Sequence, residues 1–271
     1  MKDSLPLIAR YWAKTASAGE VPSYHPLVYH GLDVAAAGRR LLEVRPRLLG
    51  AMAEASGVVE PELVDWLTFL LAVPDLGKIA DSFQSLAPEL MQGLREIASG
   101  KLPTIPYDVR HDSLGFALWR GLLGSRLPLE IGGTNGGRGL GRRRQLDVWL
   151  QPVMGHHGRP VGLVDKKLEG NLPRHFPPPV LDDALAIWTE LATLLLPHGL
   201  PDVVVSEERE EEAAAPASWL VAGFANLADW IGSNQEWFPF ATPALSIEAY
   251  WRAGAQPAAE RALAETGLAH Q

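Results

Sequence analysis

Eight histidines and a scatter of aspartates run along the 271-residue chain, and some of them fall into five short polar islands whose residue types suit metal chemistry. The islands are His30 in HPLVYHGLDVAA, Asp75 in VPDLGK, His111 in RHDSLG, the pair His156-His157 in MGHHG, and Asp229 in ANLADWIGS. Singly, a histidine on a helix is more often a surface or satisfied core residue than a ligand. Asp229 says more: burying an unpaired carboxylate costs on the order of several kcal/mol, so it is expected to meet a cation, whether a metal ion or an arginine. HHG favours a metal, because consecutive imidazoles reach one ion only where the backbone turns sharply, as glycine permits. Imidazole and carboxylate without thiolate select Fe, Mn, Ni, Co or Zn over a purely hard Ca or Mg site. Such sites often hold two ions about 3.5–4 Å apart, bridged by a carboxylate and by a water of lowered pKa, which suits hydrolysis of phosphate esters.

Histidines and aspartates at the ends of several helices are what a metal site inside a helical bundle requires. Apolar residues three and four apart (Leu27, Val28, Val34, Leu41, Leu42) predict an amphipathic helix over Leu27–Val44. Glu62–Val73 is apolar on most faces and predicts a helix in the middle of the fold. Further helices are expected at Ser113–Leu123, Gln145–Met154, Pro179–Leu196, Trp219–Ile231 and Ile247–Thr266. No stretch alternates apolar and polar residues long enough to predict a strand. The expected architecture is all-α, one domain over residues 1–271, with the metal site between helices. Glu130–Arg144 is glycine-rich and ends in three arginines, which predicts a loop, since each glycine costs about 1 kcal/mol relative to alanine in a helix. The acidic run Ser206–Pro216 reads as the solvated first turn of a helix.

Composition narrows the chemistry further. There is no cysteine, which excludes disulfides, thiolate nucleophiles, zinc fingers and iron–sulfur clusters. A net charge of −8 argues against coating nucleic acid by bulk charge, while leaving room for a local basic groove. No signal peptide is evident at the N-terminus, and the longest apolar stretch, Trp66–Pro74, is far short of the ~20 residues of a membrane span, so a soluble, cytoplasmic protein without a membrane partner is expected.

The order YHGLDVAA, PDLGKIADSFQ, RHDSLG, GHHG and LADWIGS resembles the HD-nuclease domain of the type I CRISPR-associated nuclease-helicase, within the HD superfamily of metal-dependent phosphohydrolases. The likeness runs from YWAK at Tyr11–Lys14 to Ser233. It implies a two-metal nuclease that cuts single-stranded DNA, fed by a helicase, fused or separate, after a CRISPR RNA-guided surveillance complex has opened the target. Carried over by position, one ion would be held by His30, Asp75 and Asp229, and the other by Asp75 as a bridge with His111, His156 and His157. The ions would be transition metals (Fe, Mn, Co or Ni, with Mg or Zn as further candidates). Lys78, one turn after Asp75, would join it at the catalytic centre, meeting a phosphate or a supporting carboxylate, or else would be a solvated lysine. Ser233 would bond a phosphate oxygen or simply end its helix. For the DNA strand, Arg142 and Arg143 in the Arg138–Arg144 segment and Arg159 after HHG are the basic candidates. Trp230, Trp237 and Phe238 are the aromatic ones, most such residues being core.

One position departs from the resemblance. Where the family has His-Asp, this chain has Pro74-Asp75, and proline supplies no imidazole. Proline also biases Val73 away from helical angles, so it is expected to bend the helix end and shift Asp75. The first ion would then be weakly held, or water or His25 would fill the gap, or the chain would be an impaired module that binds the helicase or surveillance complex without efficient cleavage. An HD phosphohydrolase acting on nucleotides is a further alternative, with HHG and LADWIGS against it. No G-x-x-x-x-G-K-[ST] phosphate loop is present, so no helicase domain is read in this chain.

Overall fold

The computed structural model describes residues 5–16, 21, 23–98, 100–124, 139–158, 161, 166–199 and 214–268, with the side chains of 139–145, 166–167 and 214–217 left aside. Helices dominate. α1 spans Leu27–Val44, α2 Pro46–Ser56 and α3 Glu60–Ala72. A 3-10 turn, Pro74–Ile79, leads into the short α4, Asp81–Gln84, and α5, Pro88–Leu94. Then come α6 (His111–Leu118), α7 (Gly139–Met154), α8 (Lys166–His175), α9 (Pro178–Leu195), α10 (Ala214–Gly232), α11 (Ile247–Tyr250) and α12 (Gln256–Glu265).

α1 is the axis of the molecule, packed against α3, α10 and α12. Its pattern predicts one apolar stripe, yet residues 27–38 are buried on every face. Small residues make this possible. A Cβ on Gly31 would stand 2.4 Å from the carbonyl oxygen of Ala72, so glycine lets α1 abut the end of α3. The two helices that carry His30 and lead to Asp75 are thereby locked together. α3 is the buried helix that its composition predicts, with Trp66, Phe69 and Leu70 in the core.

Several boundaries differ from expectation. Helix Ile247–Thr266 is interrupted by a π-helical turn at Trp251–Ala255, and α6 gives way to another at Trp119–Leu123. Each turn points a buried tryptophan, Trp251 or Trp119, into the core, so tertiary packing overrides the helical register. α7 begins at Gly139, within the stretch expected to be a loop. Arg142, Arg143 and Arg144 are therefore helical. Leu146, Leu150 and Val153 anchor the rest of α7 in the core, and that outweighs the local penalty of glycine. The acidic run up to residue 213 lies outside the described residues.

The chain also holds strands that the sequence did not signal: β1, Trp12–Thr15, pairs antiparallel with β2, Tyr24–Pro26. At four and three residues they are too short to show alternation. Among the described residues, no helix is long and apolar enough to cross a membrane.

Candidate metal centre

Asp75 is the second residue of the 3-10 turn that follows α3. Val73 sits at φ −108° and ψ −9°, so the helix ends there, but the chain does not swing into the extended form expected before proline. Pro74 occupies the first position of the turn, where its missing N–H removes no bond. Gly77 then lets the turn lie directly on α6: a Cβ there would come within 2.4 Å of the Gly115 nitrogen, and closer still to the His111 carbonyl. Gln84 braces the turn from the other side, donating to the carbonyls of Lys78 at 2.8 Å and of Trp12 in β1 at 2.9 Å.

All six residues expected to ligate metal fall in one place. Asp75 is central and buried. Its Oδ2 lies 2.8 Å from Nε2 of His30 and accepts from Nζ of Lys78 at 2.8 Å. Its Oδ1 faces Nε2 of His111 at 3.2 Å and Nε2 of His156 at 3.7 Å. His111 begins α6, and its Nε2 lies 2.9 Å from Nε2 of His157. His156 and His157 follow α7, and Gly158, at φ +77°, closes the turn that sets His156 in the interior and leaves His157 exposed beside His111. Asp229 comes from α10. The potential ligand atoms of His30, Asp75 and Asp229 lie within 4.8 Å of one another, and so do those of His111, His156 and His157.

Electrostatics prepares these groups for a cation. Burial pushes His30 down to about 3, with the Asp75 contact opposing it only in part, so the imidazole is neutral at physiological pH. His157 is lowered to about 4, by burial and then by His156 and His111. Burial would raise the Asp75 carboxyl, but the Lys78 ammonium and then the contacts with His111 and His30 hold it well below the usual carboxylate range. Asp229 is pushed up by burial and by the Asp75 charge. His156 Nδ1 lies 3.2 Å from the Val153 carbonyl, which can only accept, so that nitrogen carries a proton and Nε2 is the atom turned toward Asp75. Among the described residues, His156 Nε2, Asp75 Oδ1 and His30 Nδ1 are buried with no formed hydrogen bond. Two of these, Asp75 Oδ1 and His156 Nε2, face each other at 3.7 Å, and an imidazole nitrogen beside a carboxylate oxygen in a buried cluster fits a divalent cation.

Pro74 lines the same cleft as Asp75, His156 and Asp229, and its ring offers no donor atom there. His25 does not fill that gap. Its Nδ1 accepts from the Ala241 N–H at 3.2 Å and its Nε2 lies 2.8 Å from Asp33 Oδ2, so neither nitrogen is free for an ion.

Ser233 donates from Oγ to Oδ1 of Asp229 at 3.2 Å, which orients the carboxylate. Asp229 has no arginine partner among the described residues. Phe238 is core, and Trp237 is tied to Glu265 at 2.7 Å. Trp230, by contrast, is 69% exposed. Arg159 lies outside the described residues, as do the side chains of Arg142 and Arg143.

Two neighbours of the cluster have no weight in the sequence reading. Lys14, from YWAK on β1, is half-buried, donates to the Ser233 carbonyl at 3.1 Å, and is lowered by burial and then by Lys78. Tyr107 contacts His111. Lys14 was visible only as part of a motif, and Tyr107 stands outside any helix or strand, with no periodicity to mark it.

A family model described as the HD domain of Cas3 matches residues 12–238. The CRISPR-associated endonuclease/helicase Cas3 of Thermus thermophilus is 27% identical over 236 residues, covering 84% of this chain and 22% of that protein. This chain thus spans about a fifth of that relative's length. A crystal structure of a CRISPR-associated protein superposes with a TM-score of 0.70 at 27% identity, over 96% of this chain and 27% of the other. The Thermus thermophilus Cas3 HD domain, crystallised in the presence of Ni2+, superposes with a TM-score of 0.63 at 23% identity, over 97% and 92% of the two chains, a likeness that bears on fold alone.

Proposed function

This chain belongs to the Cas3 HD-domain family, and from that premise we propose that it is a metal-dependent nuclease of type I CRISPR interference that hydrolyses phosphodiester bonds of single-stranded DNA. The observation that carries the reading is the position of Asp75. One carboxylate oxygen faces His30 and the other faces His111 and His156, so a single side chain joins the two ligand sets.

His30, Asp75 and Asp229 would hold one divalent ion, and Asp75, His111, His156 and His157 the other. When bound, such ions would supply Lewis-acid charge and activation of a nucleophile for in-line attack on phosphorus. The chain's own residues do the rest. His30 and His157, lowered by burial, present lone pairs, Ser233 aims Asp229, and Lys78 balances the Asp75 charge until a cation arrives. Lys14 and Lys78 place positive charge beside the anionic pair, where a phosphate would come. Trp230, exposed and next to Asp229 on α10, offers a ring for a base to stack on. With a net charge of −8, delivery of the strand by a helicase, together with an RNA-guided surveillance complex, is the consistent route.

A second reading rests on Pro74, which leaves the first ion with three protein ligands: a fold retained to dock on helicase or surveillance complex, with cleavage impaired. Incubation of metal-free protein with circular single-stranded DNA and Mn2+, Co2+ or Ni2+, alongside Pro74→His, separates the two. Cleavage by the natural chain supports the nuclease. Cleavage by Pro74→His alone supports impairment, and cleavage by neither defeats the proposed activity.

A further inference from the structure

Tyr107 lies four residues before His111, and its hydroxyl meets that histidine twice. Oη accepts from the His111 backbone N–H at 2.9 Å and lies 3.0 Å from Nδ1 of the ring. The phenol is held in place edge-on to Phe83, centroids 5.5 Å apart, and Phe83 meets the His111 ring edge-on at 5.6 Å.

A phenolic oxygen has one O–H and two lone pairs. The backbone N–H uses one lone pair, which leaves the O–H and the second lone pair for Nδ1. The same hydroxyl therefore serves either His111 tautomer. Without a cation, Nε2 of His111 lies 2.9 Å from Nε2 of His157, a distance at which two bare lone pairs repel and one nitrogen must donate. If His111 donates, Tyr107 donates in turn to Nδ1. When Nε2 is given to a cation, the ring proton belongs on Nδ1, and Tyr107 accepts it. No net charge changes in this exchange: the ring proton leaves Nε2 and one is carried on Nδ1, while the hydroxyl rotates from donor to acceptor.

We infer that Tyr107 is a positioning residue for metal binding, fixing the His111 ring and supplying the partner for its Nδ1–H when Nε2 becomes a ligand. The inference rests on the two-ion reading above and adds a residue to it. Histidine ligands whose second nitrogen loses its partner typically bind metal about 10–100-fold more weakly.

The test is calorimetric titration of metal-free protein with Ni2+, comparing the natural chain with Tyr107→Phe, which keeps the ring on Phe83 and removes only Oη. Weaker binding by about 10–100-fold of the ion that needs His111, His156 and His157 is expected. Binding that depends on His30 and Asp229, followed in a His157→Ala background, should stay as it was. Independently, 15N spectra of the imidazoles in the natural chain loaded with Zn2+ should show His111 protonated at Nδ1, a readout that survives even if the variant folds poorly. Unchanged Ni2+ affinity in Tyr107→Phe, or an unprotonated Nδ1 in the Zn2+-loaded protein, overturns this role alone. Failure of the natural chain to bind any ion overturns it together with the metal centre.

Discussion

Lys78 and Asp75 form a buried ion pair one turn apart, with Nζ donating at 2.8 Å to the very oxygen that lies 2.8 Å from His30. The ammonium thus sits where a cation's charge would be felt. It stabilises the metal-free fold and competes with metal for the same carboxylate.

Lys78→Met should therefore separate these two effects. Removing one partner of a buried pair typically costs about 3–5 kcal/mol, so urea unfolding of the metal-free variant should shift to markedly lower denaturant. Calorimetric titration should show Ni2+ bound more tightly than by the natural chain. Weaker metal binding would mean that Lys78 supports the site rather than competing with it.

Pro74→His adds an imidazole to a cleft that already contains Asp75 and Asp229. The gain of a direct ligand should tighten the first ion by at least the ~10–100-fold associated with supporting groups. Metal counting after gel filtration should rise toward two ions per chain, and nicking of circular single-stranded DNA should quicken.

Acid should weaken the metal-free fold through His30. Its pKa falls from 6.5 to about 3 on folding, so the unfolded chain binds the proton more readily. The contribution is fully present above pH 6.5 and is lost as pH falls toward about 3. Asp75, also lowered, adds loss at still lower pH, while the raised Asp229 and Asp33 act in the opposite direction. The clean measurement is a difference. Stability of the natural chain minus that of His30→Asn, from urea unfolding in chelator, should grow between pH 4.5 and 6.5 and then level off.

Gly77→Ala tests the seat of the 3-10 turn. The new methyl would press on the backbone of His111 and Gly115, which unlike a flexible side chain cannot swing away. Overpacking usually costs about 1–3 kcal/mol, and the rigid neighbour puts this case at the upper end or beyond. A fall in thermal midpoint should accompany loss of metal binding, because Asp75 and His111 are placed by that contact.

Much of this was readable from the chain alone. The 3.6-residue pattern of α1 gave both of its boundaries, and the islands around His30, Asp75, His111, His156-His157 and Asp229 are the ones whose side chains come together. Short strands and π-helical turns were not readable, since three or four residues hold no period and a tryptophan's pull toward the core acts over the whole fold.

Residue types made a meeting of imidazole and carboxylate the expectation, because a buried carboxylate needs a partner. Which atoms meet was decided by packing. Gly31 sets the height of α1 on α3, Gly77 sets the turn on α6, and together they put one oxygen of Asp75 beside His30 and the other beside His111. The same packing engages both nitrogens of His25 elsewhere and brings Tyr107 to His111, because distances of about 3 Å between residues far apart in sequence depend on how rigid elements abut.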